Sequence, residues 1–188
     1  LYCGYSKADE SQIDNSFQEQ SMLAVLYTQT SAEFVANNIQ VYNNAIKAID
    51  KALEDTTWTA AQEQKGDFAS KRPAIIIDVD ETVLDNTAFQ ARTILEGFSY
   101  PEGWIEWGLE GSAEAVAGVS KFLTYADQKG VKIFYVTNRV SELEESTKKN
   151  LKNLNLPFDE DTDVLLMKGE NGWTSDKVAR RLLVSSEY

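Results

Sequence analysis

Apolar positions recur along this chain with two different periods, and the changes of period divide it into elements. After a polar stretch over residues 1–15, Ser16 and Glu19 have the form of a capping box, and Met22, Leu23, Leu26 and Tyr27 follow at helical spacing. Thr30 and Glu33 repeat that signal ahead of Phe34, Val35, Val41, Tyr42, Ala45, Ile46, Ile49 and Leu53. The pattern predicts helices over 16–29 and 31–55, with the apolar stripe serving as packing. Residues 56–72 are polar and read as a linker. Three apolar runs come next, at 74–79, 131–137 and 163–168. In the first, three successive isoleucines at 75–77 leave no polar face, which fits a strand covered on both sides, as in a parallel sheet. Helical patterns over 113–129, closed by Gly130, and over 141–153 lie between the runs, and a last helix begins near Ser175. The stretch 87–112 breaks the rhythm with Phe89, Phe98, Tyr100, Trp104 and Trp107 among scattered glycines, and is longer than a strand-to-helix loop requires. It reads as a flap.

The expected fold is therefore α/β with a parallel sheet. Residues 1–72 form an amino-terminal tail, helical subdomain and linker, and residues 73–188 form the α/β core with the flap at 87–112. A length of 188 residues and 43% apolar content suffice for a real core. The net charge of −12 argues against a nucleic-acid polymer or an anionic membrane surface as partner. Histidine is absent, which excludes His-based triads and His metal ligands and leaves acid–base chemistry to carboxylates, Lys, Tyr or the single cysteine.

The chemistry concentrates after the first apolar run. Ile75, Ile76 and Ile77 lead straight into Asp78 and Asp80, which period-2 alternation sets on one side of an extended chain. Two carboxylates at the end of a buried strand are costly unless neutralised, and the carboxyl ends of parallel strands are where α/β sheets bind ligands. The pair is either a divalent-cation site or a solvated turn. Thr137-Asn138-Arg139 ends the second strand, where a hydroxyl and free N–H groups can hold phosphate oxygens, and Thr137 alone could instead cap a helix. Arg139 either binds phosphate or braces the loop. Lys168 ends the third strand and either neutralises a ligand or reaches out to water. Trp104 and Trp107, spaced i, i+3, are either core or a stacking wall for an aromatic leaving group.

The string from Asp78 to Asn86, DVDETVLDN, resembles motif I of the haloacid-dehalogenase (HAD) superfamily of phosphohydrolases. With Glu81, Thr82, Leu84, Asp85 and Asn86 it is most similar to the class C acid phosphatases, a bacterial secreted or lipoprotein branch. The helical leader AVLYTQTSAEF with Gln40-Val41-Tyr42, the W-x-x-W pair, Thr137-Asn138-Arg139, and Ser175-Asp176-Lys177 with Arg180-Arg181 resemble the same family. The resemblance implies a HAD-like Rossmannoid three-layer sandwich and a metal-dependent acid phosphatase acting on phosphomonoesters, nucleoside monophosphates among them. It implies Asp78 as nucleophile and Asp80 as general acid–base. Mg²⁺ would be held by the Asp78 carboxylate and the Asp80 carbonyl. Thr137 and Asn138 would bind the substrate together with Trp104 and Trp107, and Lys168 would be the catalytic lysine, with Lys177 as the second candidate.

The resemblance also implies a fourth motif, a Gly-Asp…Asp string after a fourth strand beside the first, and no such string follows Lys168. Three expectations stand side by side: a piece of a longer chain, a missing part supplied by another molecule, or a non-catalytic binding or storage protein on the same scaffold. In the family a cysteine near the amino end carries a lipid, so the resemblance allows an anchor on Cys3, a dimer, and a secreted, periplasmic or outer-membrane-anchored location.

Overall fold

The computed structural model describes residues 19–188. The Ser16 capping signal and Cys3 lie outside them. Helices α1 (Met22–Thr30) and α2 (Ala32–Glu54) match the two helical periods within the described residues. The cap between them is Ser31, one residue beyond Thr30, and its Oγ accepts from Phe34 N at 3.3 Å. α2 is amphipathic and buries Tyr42 and Ile49 in the main core. The Tyr42 ring lies 5.5 Å from Phe122, and its hydroxyl donates to Thr82 O at 2.5 Å. Burial raises the Tyr42 pKa above its ordinary value. Tyr42→Phe should lower stability by about 1 kcal/mol, the value of one such bond, as a denaturant midpoint would read.

The sheet consists of β1 (Ala74–Ile77), β4 (Lys132–Val140) and β5 (Leu165–Lys168), all parallel, in the order β1-β4-β5. Alternation sorts its side chains to two faces. Ile75, Ile77, Ile133, Tyr135, Leu165 and Met167 join the cluster that includes Phe122 and Leu123 of α5 (Val119–Gln128). Ala74, Ile76, Phe134, Val136 and Leu166 face Val184 and Tyr188 of the last helix and its end, α7 (Val178–Glu187). Helix on both faces of a parallel sheet is the three-layer α/β arrangement expected from the apolar runs. Burying each large side chain contributes roughly 1.5–3 kcal/mol. β1 has β4 on one side and, among the described residues, no strand on the other. A groove of about 950 Å³ lined by Trp58, Phe68, Ile76 and Tyr188 adjoins that strand.

The structure departs from the periodic reading in several places. The stretch 87–112 is not an open loop: it holds α3 (Thr87–Glu96) and α4 (Trp104–Glu110), packed around Phe89. The crossover helix starts at Val119 instead of 113, because Glu114–Ala115 (β3) pairs antiparallel with Leu84–Asp85 (β2) and Val116 N donates to Val83 O at 2.9 Å. Gly118 closes that pairing at φ 92°, where a Cβ would come within 3.1 Å of the Ile39 backbone. β4 runs on to Val140, past the expected end at 137, with a shift of register against β5 between Val136 and Val140. Helix 141–153 opens as a 3-10 turn, Ser141–Leu143, before α6 (Glu144–Asn153).

Candidate active site

β1 ends at Ile77, and the next residues fold into a tight turn. The N–H groups of Thr82, Val83 and Leu84 converge on Val79 O at 3.3, 2.8 and 2.9 Å, while Glu81 N reaches Leu84 O at 2.9 Å. Val79 and Val83 are fully buried and anchor the turn. Glu81 takes φ 54°, a left-handed conformation that costs a non-glycine residue about 1–2 kcal/mol. Burial raises the Glu81 pKa, opposed in part by its hydrogen bond from Asn86.

This turn gives the two aspartates different neighbours. Asp78 is half-exposed at the end of β1; its Oδ1 accepts from Val79 N at 2.8 Å and its Oδ2 pairs with Lys177 Nζ at 2.6 Å. Asp80 faces inward. Its Oδ1 accepts from Arg139 Nε and Asn86 Nδ2, each at 2.9 Å, and Arg139 Nη2 stands 2.8 Å away. Thr137 Oγ1 lies 3.4 Å from Asp80 Oδ2. Arg139, 2% exposed, therefore braces the Asp80 carboxylate.

The lysine beside Asp78 is Lys177, not Lys168. Sheet order explains the difference. Lys168 sits on β5, two strands from β1, and pairs with Val140, three residues beyond Thr137. At about 4.8 Å per strand it stands roughly 10 Å to the side of Asp78 before any offset along the sheet. Lys177 arrives from the turn ahead of α7, held by Arg180. That guanidinium is fully buried, and its Nη1 donates to Thr137 O. Its Nη2 donates to Asn138 Oδ1 at 2.8 Å and Thr174 O at 2.9 Å. Asn138 Nδ2 closes the loop by donating to Ser175 O at 3.0 Å. Arg180 thus ties the Thr137–Asn138 segment to the segment that presents Lys177. Arg180 and Asn86 were legible only as letters within matched strings; nothing in their spacing signalled burial.

The two tryptophans separate as well. Trp107 is 4% exposed, packs 6.3 Å from Phe89 and donates Nε1 to Asn86 Oδ1 at 2.8 Å, so its ring is part of the core. Trp104 is partly exposed, edge-on to Phe89 at 5.2 Å and Tyr100 at 5.8 Å, with the Arg139 guanidinium 5.6 Å from its ring centre. Among the described residues no three acidic, His or Cys side chains gather as a metal cage. What the turn offers is the half-exposed Asp78 carboxylate and main-chain oxygens. Such all-oxygen donors suit a hard divalent cation and supply part of a six-oxygen shell.

The chain belongs to the HAD superfamily, subfamily IIIB (acid phosphatase), whose family model matches residues 5–188. It is similar to the class C acid phosphatase from Bacillus anthracis, solved with tungstate bound, at 35% identity and a TM-score of 0.78, over 91% of this chain and 66% of that one. A second structure of the B. anthracis class C acid phosphatase matches at 35% identity and a TM-score of 0.77, with the same coverage. The chain thus spans just under two thirds of the length of the solved relatives it matches. HAD enzymes generally use a divalent metal. Among the described residues no helix is long and apolar enough to cross a membrane.

Proposed function

We propose that this protein hydrolyses small phosphomonoesters through an aspartyl-phosphate on Asp78. The observation that carries the reading is the division of labour between the two aspartates: one half-exposed beside an ammonium, the other turned inward onto a guanidinium and an amide. A carboxylate at a strand end beside Lys177 suits attack on phosphorus. In the first step an Asp78 oxygen bonds to phosphorus, the bond to the leaving oxygen breaks, and the Asp80 carboxyl gives its proton to that oxygen. In the second, Asp80 takes a proton from water, the water oxygen bonds to phosphorus, and the Asp78–phosphorus bond breaks to release phosphate. Proton transfer of this kind is worth about 10²–10⁴-fold. Lys177 and Thr137 neutralise and hold the equatorial oxygens, and Trp104 is the ring offered to an aromatic leaving group such as a nucleoside. Mg²⁺ would be held by the Asp78 carboxylate and the Asp80 main-chain carbonyl. When bound it supplies charge neutralisation at the phosphoryl oxygens. Class C acid phosphatases are bacterial and secreted or lipoproteins, and we assign this protein to the same compartment.

The test is hydrolysis of a phosphomonoester by the purified protein with Mg²⁺, together with trapping of a phosphorylated peptide containing Asp78. No turnover and no labelled peptide would overturn the reading. The choice of lysine has its own test. Lys177→Ala should lower kcat/KM by about 10²–10³-fold, as loss of a charge-stabilising donor does. Lys168→Ala should change it by about twofold at most, as a peripheral substitution does. The reverse order would return the role to Lys168.

A further inference from the structure

Acid–base work by Asp80 does not require a saturated asparagine buried behind it, yet Asn86 is fully shielded from solvent and all its hydrogen-bonding capacity is used. Its Nδ2 donates to Asp80 Oδ1 at 2.9 Å and to Glu81 Oε1 at 3.0 Å. Its Oδ1 accepts from Trp107 Nε1 at 2.8 Å and from Arg139 Nη2 at 3.2 Å. Reversing the amide would set its NH₂ against two donors and its oxygen against two carboxylates, so four neighbours dictate its orientation. Arg139 reaches the same Asp80 oxygen with Nε at 2.9 Å and steadies itself with Nη1 on Thr147 Oγ1 at 3.2 Å. Asp80 Oδ1 is therefore held from two directions, whereas among the described residues Oδ2 has only the Thr137 hydroxyl at 3.4 Å. The far end of the chain of contacts is rigid. Trp107 packs on the fully buried Phe89, and a Cβ on the next residue, Gly108, would fall 2.6 Å from Leu143 Cδ1, so α4 lies flush on its neighbour.

We propose that Trp107, Asn86 and Arg139 are positioning residues: they hold the plane of the Asp80 carboxyl, keep Oδ1 occupied, and leave Oδ2 as the oxygen that exchanges the proton. Alignment of proton transfer is thereby set by the aromatic helix α4, which also carries Trp104. The inference rests on the acid–base reading of Asp80. Its distinctive consequence is a dependence on the leaving group. An alkoxide must be protonated as it departs, whereas p-nitrophenolate departs without help, so in the first step misalignment of the acid penalises only the former, while the second step, in which Asp80 takes a proton from water, is the same for both.

Trp107→Phe retains an aromatic ring and removes the Nε1 donor. It should lower kcat/KM for an alkyl phosphate about tenfold, part of the full acid–base contribution, and leave kcat/KM for p-nitrophenyl phosphate nearly unaffected, because kcat/KM reports departure of the leaving group and not the later hydrolysis of the aspartyl-phosphate. Equal losses of kcat/KM on both esters would overturn the proposal, because a purely structural role does not distinguish leaving groups. A second measurement needs no turnover. In protein carrying ¹⁵N-labelled tryptophan, Asp80→Ala should shift the Trp107 indole N–H resonance and speed its exchange with solvent, while exposed Trp58 stays where it was. An unmoved Trp107 signal would overturn the proposal even if Trp107→Phe failed to fold. Wild-type protein inactive on both esters would sink the phosphomonoesterase reading, and the indole signal would still decide whether Asp80 and Trp107 are coupled.

Discussion

Asp78→Asn should abolish phosphomonoester hydrolysis, lowering kcat by about 10⁴-fold or more, as loss of a nucleophile does, while leaving the fold intact. The amide has nearly the shape of the carboxylate but no anionic oxygen to bond to phosphorus. Its effect on stability is small for an independent reason. The Asp78 side chain is 45% exposed and Lys177 is 22% exposed. An ion pair so open to water contributes about 0–1 kcal/mol. The mutant should therefore melt close to wild type by circular dichroism and carry no phosphorylated peptide. Turnover near wild type in a folded mutant would remove Asp78 as nucleophile.

Arg180→Ala should have the largest effect on stability. The guanidinium is fully buried, and its hydrogen bonds end on Thr137 O, Asn138 Oδ1, Thr174 O and Asp176 O. Truncation leaves these acceptors without their donor and opens a cavity beneath the sheet end. Such losses sum to about 3–5 kcal/mol. At about 2–4 °C per kcal/mol for a chain of this size, Tm should fall by roughly 6–20 °C. Activity should fall further than the folded fraction accounts for, because the segment presenting Lys177 loses its tie to Thr137 and Asn138. Assay well below the melting range separates the two effects. Arg180→Met, which refills volume without donors, should recover part of Tm and little of the activity. A Tm within about 2 °C of wild type for Arg180→Ala would show that the clamp is not structural.

Near-correct element boundaries at the centre of the chain follow from local pattern. Ile75–Ile77 and Val164–Met167 have no polar face, Val131–Val136 is interrupted by Lys132 alone, and a strand covered on both sides is the arrangement that buries the apolar residues of all three. The flap was harder to read because two short helices with left-handed glycine termini, Gly97 after α3 and Gly103 and Gly111 on either side of α4, interrupt any period. The later start of α5 depends on a two-residue pairing of β3 with β2 that no propensity encodes.

From sequence alone came the strand that ends in Asp78 and Asp80, the segment at Thr137, and the α/β class, because each rests on residues adjacent in the chain and on a two- or 3.6-residue period. Tertiary structure alone decided which lysine meets Asp78, which tryptophan is buried, and what Arg139 and Arg180 hold. Those outcomes depend on strand order, β1-β4-β5, and on the return of the 174–177 turn to the sheet end. As letters, the lysine at the end of β5 looks the better suited and the lysine ahead of α7 the second candidate. Only the lateral distance across two strands separates them, and that distance has no counterpart in local spacing.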